Sequence, residues 1–144
     1  MNGRSKVRGR FCDLVNIAPG VYEATYVGHS VRKLFGTGKL GILFRIIQPG
    51  EAFEKTVPLW YPVRLLQKPH FSCGRHSKLA RDWRLLFRRG ADRWDRLPVT
   101  ALKGIIVRVR VKTVTRDYQQ QPLDLVNQYS AAECIVGRVN PDSP

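Results

Sequence analysis

The sequence predicts a mainly β fold: five strands forming a small barrel, with one helix between the third and fourth. Three observations lead there. Apolar residues recur at every second position in several short runs, the period of a half-buried strand. Glycine and proline, 12 and 9 copies in 144 residues, punctuate the chain often enough to turn it between such strands. A single stretch, 77–89, instead spaces its apolar residues for a helix. The chain length suits one domain with its own core.

Residues 1–12 hold Arg4, Lys6, Arg8 and Arg10 with no apolar face and read as a basic arm. The folded body is expected over 13–139, followed by a short tail at 140–144. Gly20 opens the first strand, with Tyr22, Ala24 and Tyr26 on one face and Val21, Glu23, Thr25 and Val27 on the other. Residues 33–39 read as a hairpin turn in which Gly36 and Gly38 supply positive φ. The second strand, 40–47, sets Leu40, Ile42, Phe44 and Ile46 against Leu43, Arg45 and Ile47. After a turn at 48–51 comes a third extended piece, 53–63. Pro58 and Pro62 cannot donate to a ladder, so an edge or bulged strand is expected there, and its unpaired edge is a candidate contact for a homo-oligomer.

Ser77 is placed to cap a helix running to Arg89 and stopped by Gly90. Leu79, Trp83, Leu86 and Phe87 form its apolar stripe, and Lys78, Arg81, Arg84 and Arg88 its polar side. The fourth strand lies within 104–116, where cations and β-branched residues alternate. Ile105, Val107, Val109 and Val111 face a core, while Arg108, Arg110, Lys112 and, further on, Arg116 face away. Successive cations on such a strand stand about 7 Å apart, close to the phosphate spacing of a single strand. A polar loop at 117–128 precedes the last strand, 129–139. Three strands, a helix and two strands is the order of the oligonucleotide/oligosaccharide-binding (OB) barrel. An open α+β sheet with one helix has the same order, so the order alone leaves closure undecided.

Charge narrows the function. There are 25 Lys and Arg against 11 Asp and Glu, a formal net charge of +14, which makes a polyanion the expected partner. No apolar run approaches the ~18 residues of a membrane span, so no membrane partner is expected. The first ten residues are polar and basic rather than a secretory segment. Cys12, Cys73 and Cys134 are odd in number and far apart, which fits a reducing cytoplasm better than a disulfide framework. No enzyme is expected. The acids are scattered, with Asp92 and Asp95 the nearest pair, whereas a metal-dependent nuclease clusters them. The glycines of Gly36-Thr37-Gly38-Lys39 do not have P-loop spacing. His70, Cys73 and His76 fall at three-residue steps but lack a fourth neighbouring ligand, so they read as a polar loop. No metal or other cofactor is expected.

Several stretches together resemble a group of single-stranded-DNA-binding proteins encoded by bacteriophages, plasmids and integrating conjugative elements. They are Pro19-Gly20-Val21-Tyr22-Glu23-Ala24, Gly36-Thr37-Gly38-Lys39-Leu40, Leu43-Phe44-Arg45-Ile46, Leu102-Lys103-Gly104 and Tyr129-Ser130. The resemblance covers roughly residues 18–48 and 100–137, and implies an OB barrel that coats single-stranded DNA in replication, recombination or transfer. Many bacterial single-strand binders end in an acidic tail; residues 140–144 hold one carboxylate, Asp142, so recruitment through such a tail is not expected.

Sequence-tolerant binding of single strands needs cations for phosphates and rings for bases. The cationic candidates are Arg32, Lys33 and Lys39 around the first hairpin, Arg45 on the second strand, and Arg108, Arg110, Lys112 and Arg116 on the fourth. Ring candidates are Tyr22, Tyr26, Phe35, Trp60 and Tyr118. Trp60 and Tyr61 must point opposite ways in a strand, so only one can serve. Single-stranded DNA is the expected partner. Composition leaves open RNA, a duplex held by the arm and helix, a basic structural or assembly protein with acidic partners, and a nuclease.

Overall fold

The computed structural model describes residues 15–67, 69–116, 119–124 and 128–139. The expected basic arm, the tail at 140–144 and the candidate ring Tyr118 lie outside the described residues. The chain forms β1 (Gly20–Leu34), β2 (Thr37–Ile46), β3 (Thr56–Pro62), β4 (Arg64–Leu65) and β5 (Phe71–Ser72), then the helix α1 (Lys78–Leu86). A 3-10 turn, Val99–Leu102, leads to β6 (Ile106–Val114) and β7 (Tyr129–Arg138). Among the described residues the fold is therefore mainly β with one α-helix.

Five strands close into a ring in the order β1-β2-β3-β7-β6, with β6 pairing back onto β1. Closure sets aside the open-sheet alternative. All neighbours are antiparallel except β3 and β7, which run parallel and share the pair Leu59 and Ala132. β4 and β5 form a separate two-stranded ladder that the sequence reading did not anticipate.

The two-residue alternation holds on the core side. Leu40, Ile42, Phe44 and Ile46 of β2, Val57, Leu59 and Tyr61 of β3, and Val107, Val109 and Val111 of β6 enter one buried cluster. Each such aliphatic side chain contributes roughly 1.5–3 kcal/mol by leaving water. α1 covers the ring with Leu79, Trp83 and Leu86.

Four local expectations need correction. β1 runs on to Leu34 because it serves two neighbours: residues 20–25 pair with β6 and residues 24–34 with β2, with a bulge between Tyr26 and Gly28. Bulges bend a strand and raise its twist, letting one strand turn the corner of the ring. The hairpin tip is Phe35-Gly36, with φ of 51° and 81°, a left-handed pair of the kind that matches strand twist. Gly38 instead lies inside β2, where a Cβ would meet the Val63 carbonyl oxygen at 2.6 Å. β3 is not an edge: it pairs with β2 on one side, although its ladder with β7 is short. The helix ends at Leu86 rather than Arg89, because Phe87 leaves helical geometry (φ −128°, ψ 101°) with its ring 4.7 Å from that of Trp83. Ser77 caps it as expected, accepting the Ala80 N–H at 3.2 Å.

Candidate nucleic-acid interface

The core side of β2 fixes its other side. If Leu40, Ile42, Phe44 and Ile46 point into the core, then Lys39, Gly41, Leu43 and Arg45 lie on the opposite side, where Arg45 is exposed and Lys39 half-buried while Gly41 and Leu43 are covered. By the same rule β3 turns Thr56, Pro58, Trp60 and Pro62 outward. Register completes the face. Lys39 stands between Arg32 and Pro62, Gly41 between Ser30 and Trp60, Leu43 between Gly28 and Pro58, and Arg45 between Thr25 and Thr56. The β1–β2–β3 face thus gathers Arg32, Lys39, Arg45 and Trp60. None of these outward positions holds an acid.

Trp60 is set down on Gly41. A Cβ at position 41 would lie 2.3 Å from Cζ3 of Trp60 and 2.7 Å from Cε3 and Cη2. Three ring carbons crowding one point mean that the six-membered ring lies across the glycine. Only a residue without a side chain permits this approach. The Arg32 guanidinium carbon is 5.7 Å from the Trp60 ring centroid, within cation–π range. Ser30 Oγ accepts from Nε and Nη2 of Arg32 at 3.2 and 3.1 Å, holding that guanidinium over the ring.

The strand-four row is also outward, as the alternation predicts: Arg108, Arg110 and Lys112 are exposed. Its surroundings differ. Register sets Glu23 beside Arg108 and Val21 beside Arg110. Arg108 lies 3.9 Å from the Glu23 carboxylate and Lys112 3.9 Å from that of Glu133. β1 separates β6 from β2 in the ring, so outward directions on the two strands diverge. The two sets of cations occupy separate faces rather than one groove. Arg116 lies past the end of β6, where its Nη1 donates to the Gln120 carbonyl at 2.9 Å.

The remaining candidates divide as follows. Tyr22 and Tyr26 pack against the core cluster. The Tyr22 hydroxyl donates to the Ala18 carbonyl at 2.6 Å, and that of Tyr26 lies 2.6 Å from Nδ1 of His29. Both side chains are thus half-buried at the flank of the core. Burial raises the Tyr26 hydroxyl and loss of solvent lowers the His29 imidazole, so this pair brings no charge at neutral pH. Phe35 is 70% exposed at the hairpin tip. Lys33, opposite Gly38, lies on the other side of the hairpin from Arg32. Among the described residues no group of three His, Cys, Asp or Glu is placed to hold a metal ion; His70, Cys73 and His76 do not converge. Nor is any helix there long and apolar enough to cross a membrane.

Gly41 was missed by sequence reasoning. A glycine inside an otherwise apolar strand is a sign of close approach, but its partner is known only once β2 and β3 are in register. Comparisons with protein-family models, with curated proteins and with solved structures find no match to this chain.

Proposed function

We propose that the ring is an OB-type barrel and that the chain binds single-stranded DNA with little sequence preference, in replication, recombination or DNA transfer. The barrel reading is supported by the strand order β1-β2-β3-β7-β6, the parallel β3–β7 pair and the helix between β3 and β6. In that fold the face of the second and third strands takes the ligand, and here that face holds the ring and the cations. The reading rests above all on Trp60 lying across Gly41 with Arg32 over its ring, and with Lys39 and Arg45 on the same side of β2.

In mechanism, Trp60, set against Gly41 with the Arg32 guanidinium over its ring, gives a base a stacking surface of ring and cation. Stacking is sequence-tolerant and worth roughly 1–3 kcal/mol per base. Arg32, Lys39 and Arg45 neutralise flanking phosphates and release their counterions. The β6 row is a secondary contact, weakened by Glu23 and Glu133. The role is binding, with no catalytic step and no cofactor.

The test is fluorescence anisotropy of a labelled oligo-dT across a salt series, with RNA and duplex DNA as competitors. The expected result is tight binding at low salt, weakening as salt rises and resisting duplex competition. No binding of oligo-dT at low salt, or equal competition by duplex, overturns the reading.

A further inference from the structure

Beyond the end of α1 the chain forms a second feature, open to solvent, that the proposed DNA face does not use. It is a cavity of about 630 Å³ between residues 83–93 and 96–101. Its apolar lining comes from Trp83, Phe87, Ala91 and Pro98. Arg88, Arg89, Arg93 and Arg96 also line it, with Asp92 as the one acid. Arg93 is already committed, holding Asp95 through two bonds of 2.9 and 2.7 Å. Arg88 and Arg89 are exposed and form no ion pair among the described residues. Nor do they cap the helix: the cation that reaches the Leu86 carbonyl is Arg138, at 3.5 Å. The cavity therefore combines an apolar lining with two exposed guanidinium groups that form no ion pair among the described residues, and with one carboxylate, Asp92.

We propose that this cavity is a nucleotide site, taking a base against Phe87 and Pro98 and its phosphate at Arg88 and Arg89. Its volume falls within the range of small-ligand sites, which are mostly apolar with a few placed polar groups. Two planar guanidiniums match phosphate oxygens in a way that a lysine cannot. The chemistry is that of one nucleotide, whether free or part of a longer strand. Only the second source rests on the single-strand reading above.

The test is a ¹⁵N NMR titration of the full chain with four probes: thymidine 5′-diphosphate, inorganic pyrophosphate, a long oligo-dT and a glutamate-rich peptide. The amides of Gly90, Ala91 and Ala101 report the cavity, and those of Gly41 and Trp60 report the β2–β3 face. Thymidine diphosphate is expected to shift the cavity amides, with an R88A/R89A variant weakening that response at least tenfold. A response to oligo-dT but not to the free nucleotide also supports the site and makes the strand its source. Silence of the cavity amides toward both overturns the proposal. So does an equal response to pyrophosphate, which leaves the base no role, or a response to the acidic peptide alone. Because the two faces are read in the same spectra, silence at Gly41 and Trp60 tells against the DNA face without touching the cavity.

Discussion

The hydroxyl of Tyr61 donates a 2.8 Å hydrogen bond to Oδ2 of Asp82, a carboxylate only 1% exposed. The same oxygen accepts the Ile135 N–H at 3.2 Å. Tyr61 belongs to β3 and Ile135 to β7, the two strands whose parallel ladder is short. A helical carboxylate thus stitches the ring where strand pairing runs out. Trp60, the next residue back, points the other way onto the face proposed for DNA, so the seam and the proposed site share one strand.

Replacing Asp82 by alanine strands two buried donors. Each unsatisfied buried group costs about 1–3 kcal/mol, so D82A is expected to lose about 3 kcal/mol in urea denaturation. A loss well under 1 kcal/mol would show that the seam does not depend on this carboxylate.

Tyr61 also makes stability depend on alkaline pH. Burial, and next the negative charge of Asp82, raise its hydroxyl far above the usual 10.0. Above pH 10 the unfolded chain releases this proton and the folded chain keeps it. Stability is therefore complete below pH 10 and falls as pH rises beyond it, by at most about 1.4 kcal/mol per pH unit for one group. Tyr26 is raised as well, so the measurement is the difference between wild type and Y61F. A parallel decline in both proteins contradicts the assignment.

On the DNA face, W60A is expected to weaken oligo-dT binding by about 1–3 kcal/mol without unfolding the ring. G41V, with its side chain where the ring now lies, should match it. Circular dichroism checks the fold and anisotropy the affinity. Wild-type affinity in a folded G41V protein would mean that the position of the ring is irrelevant.

The two sets of cations give opposite expectations. Alanine at Arg32, Lys39 and Arg45 should flatten the salt slope by about two, at about 0.7 per phosphate. Alanine at Arg108, Arg110 and Lys112 should change it less, since Glu23 and Glu133 already face two of them. The reverse ranking in a salt series would move the site to β6.

Phe35 occupies left-handed backbone at φ 51°, which costs a side-chain-bearing residue about 1–2 kcal/mol. An F35N substitution, giving the Asn-Gly pair that this turn favours, is expected to raise the melting temperature by a few degrees. A lower melting temperature would show that the Phe35 ring contributes more than its backbone costs.

Much of the frame was legible in the chain. The faces of β2 and β6, the Ser77 cap and the helix between β3 and β6 follow from spacings of two to four residues, which depend on local geometry alone. Asp82 left a trace too: it stands between Leu79, Trp83 and Leu86 on the buried arc, the one acid in a basic helix. Its partners did not, because Tyr61 and Ile135 are distant in sequence.

What the sequence by itself determined is which side chains share a strand face, and that the chain carries a formal net charge of +14. The tertiary structure alone decided which faces adjoin. Register put Glu23 beside Arg108 and Trp60 over Gly41, and ring closure turned the β6 cations away from the β2–β3 face. Alternation is a property of one strand, whereas register and closure arise only when strands remote in the chain meet.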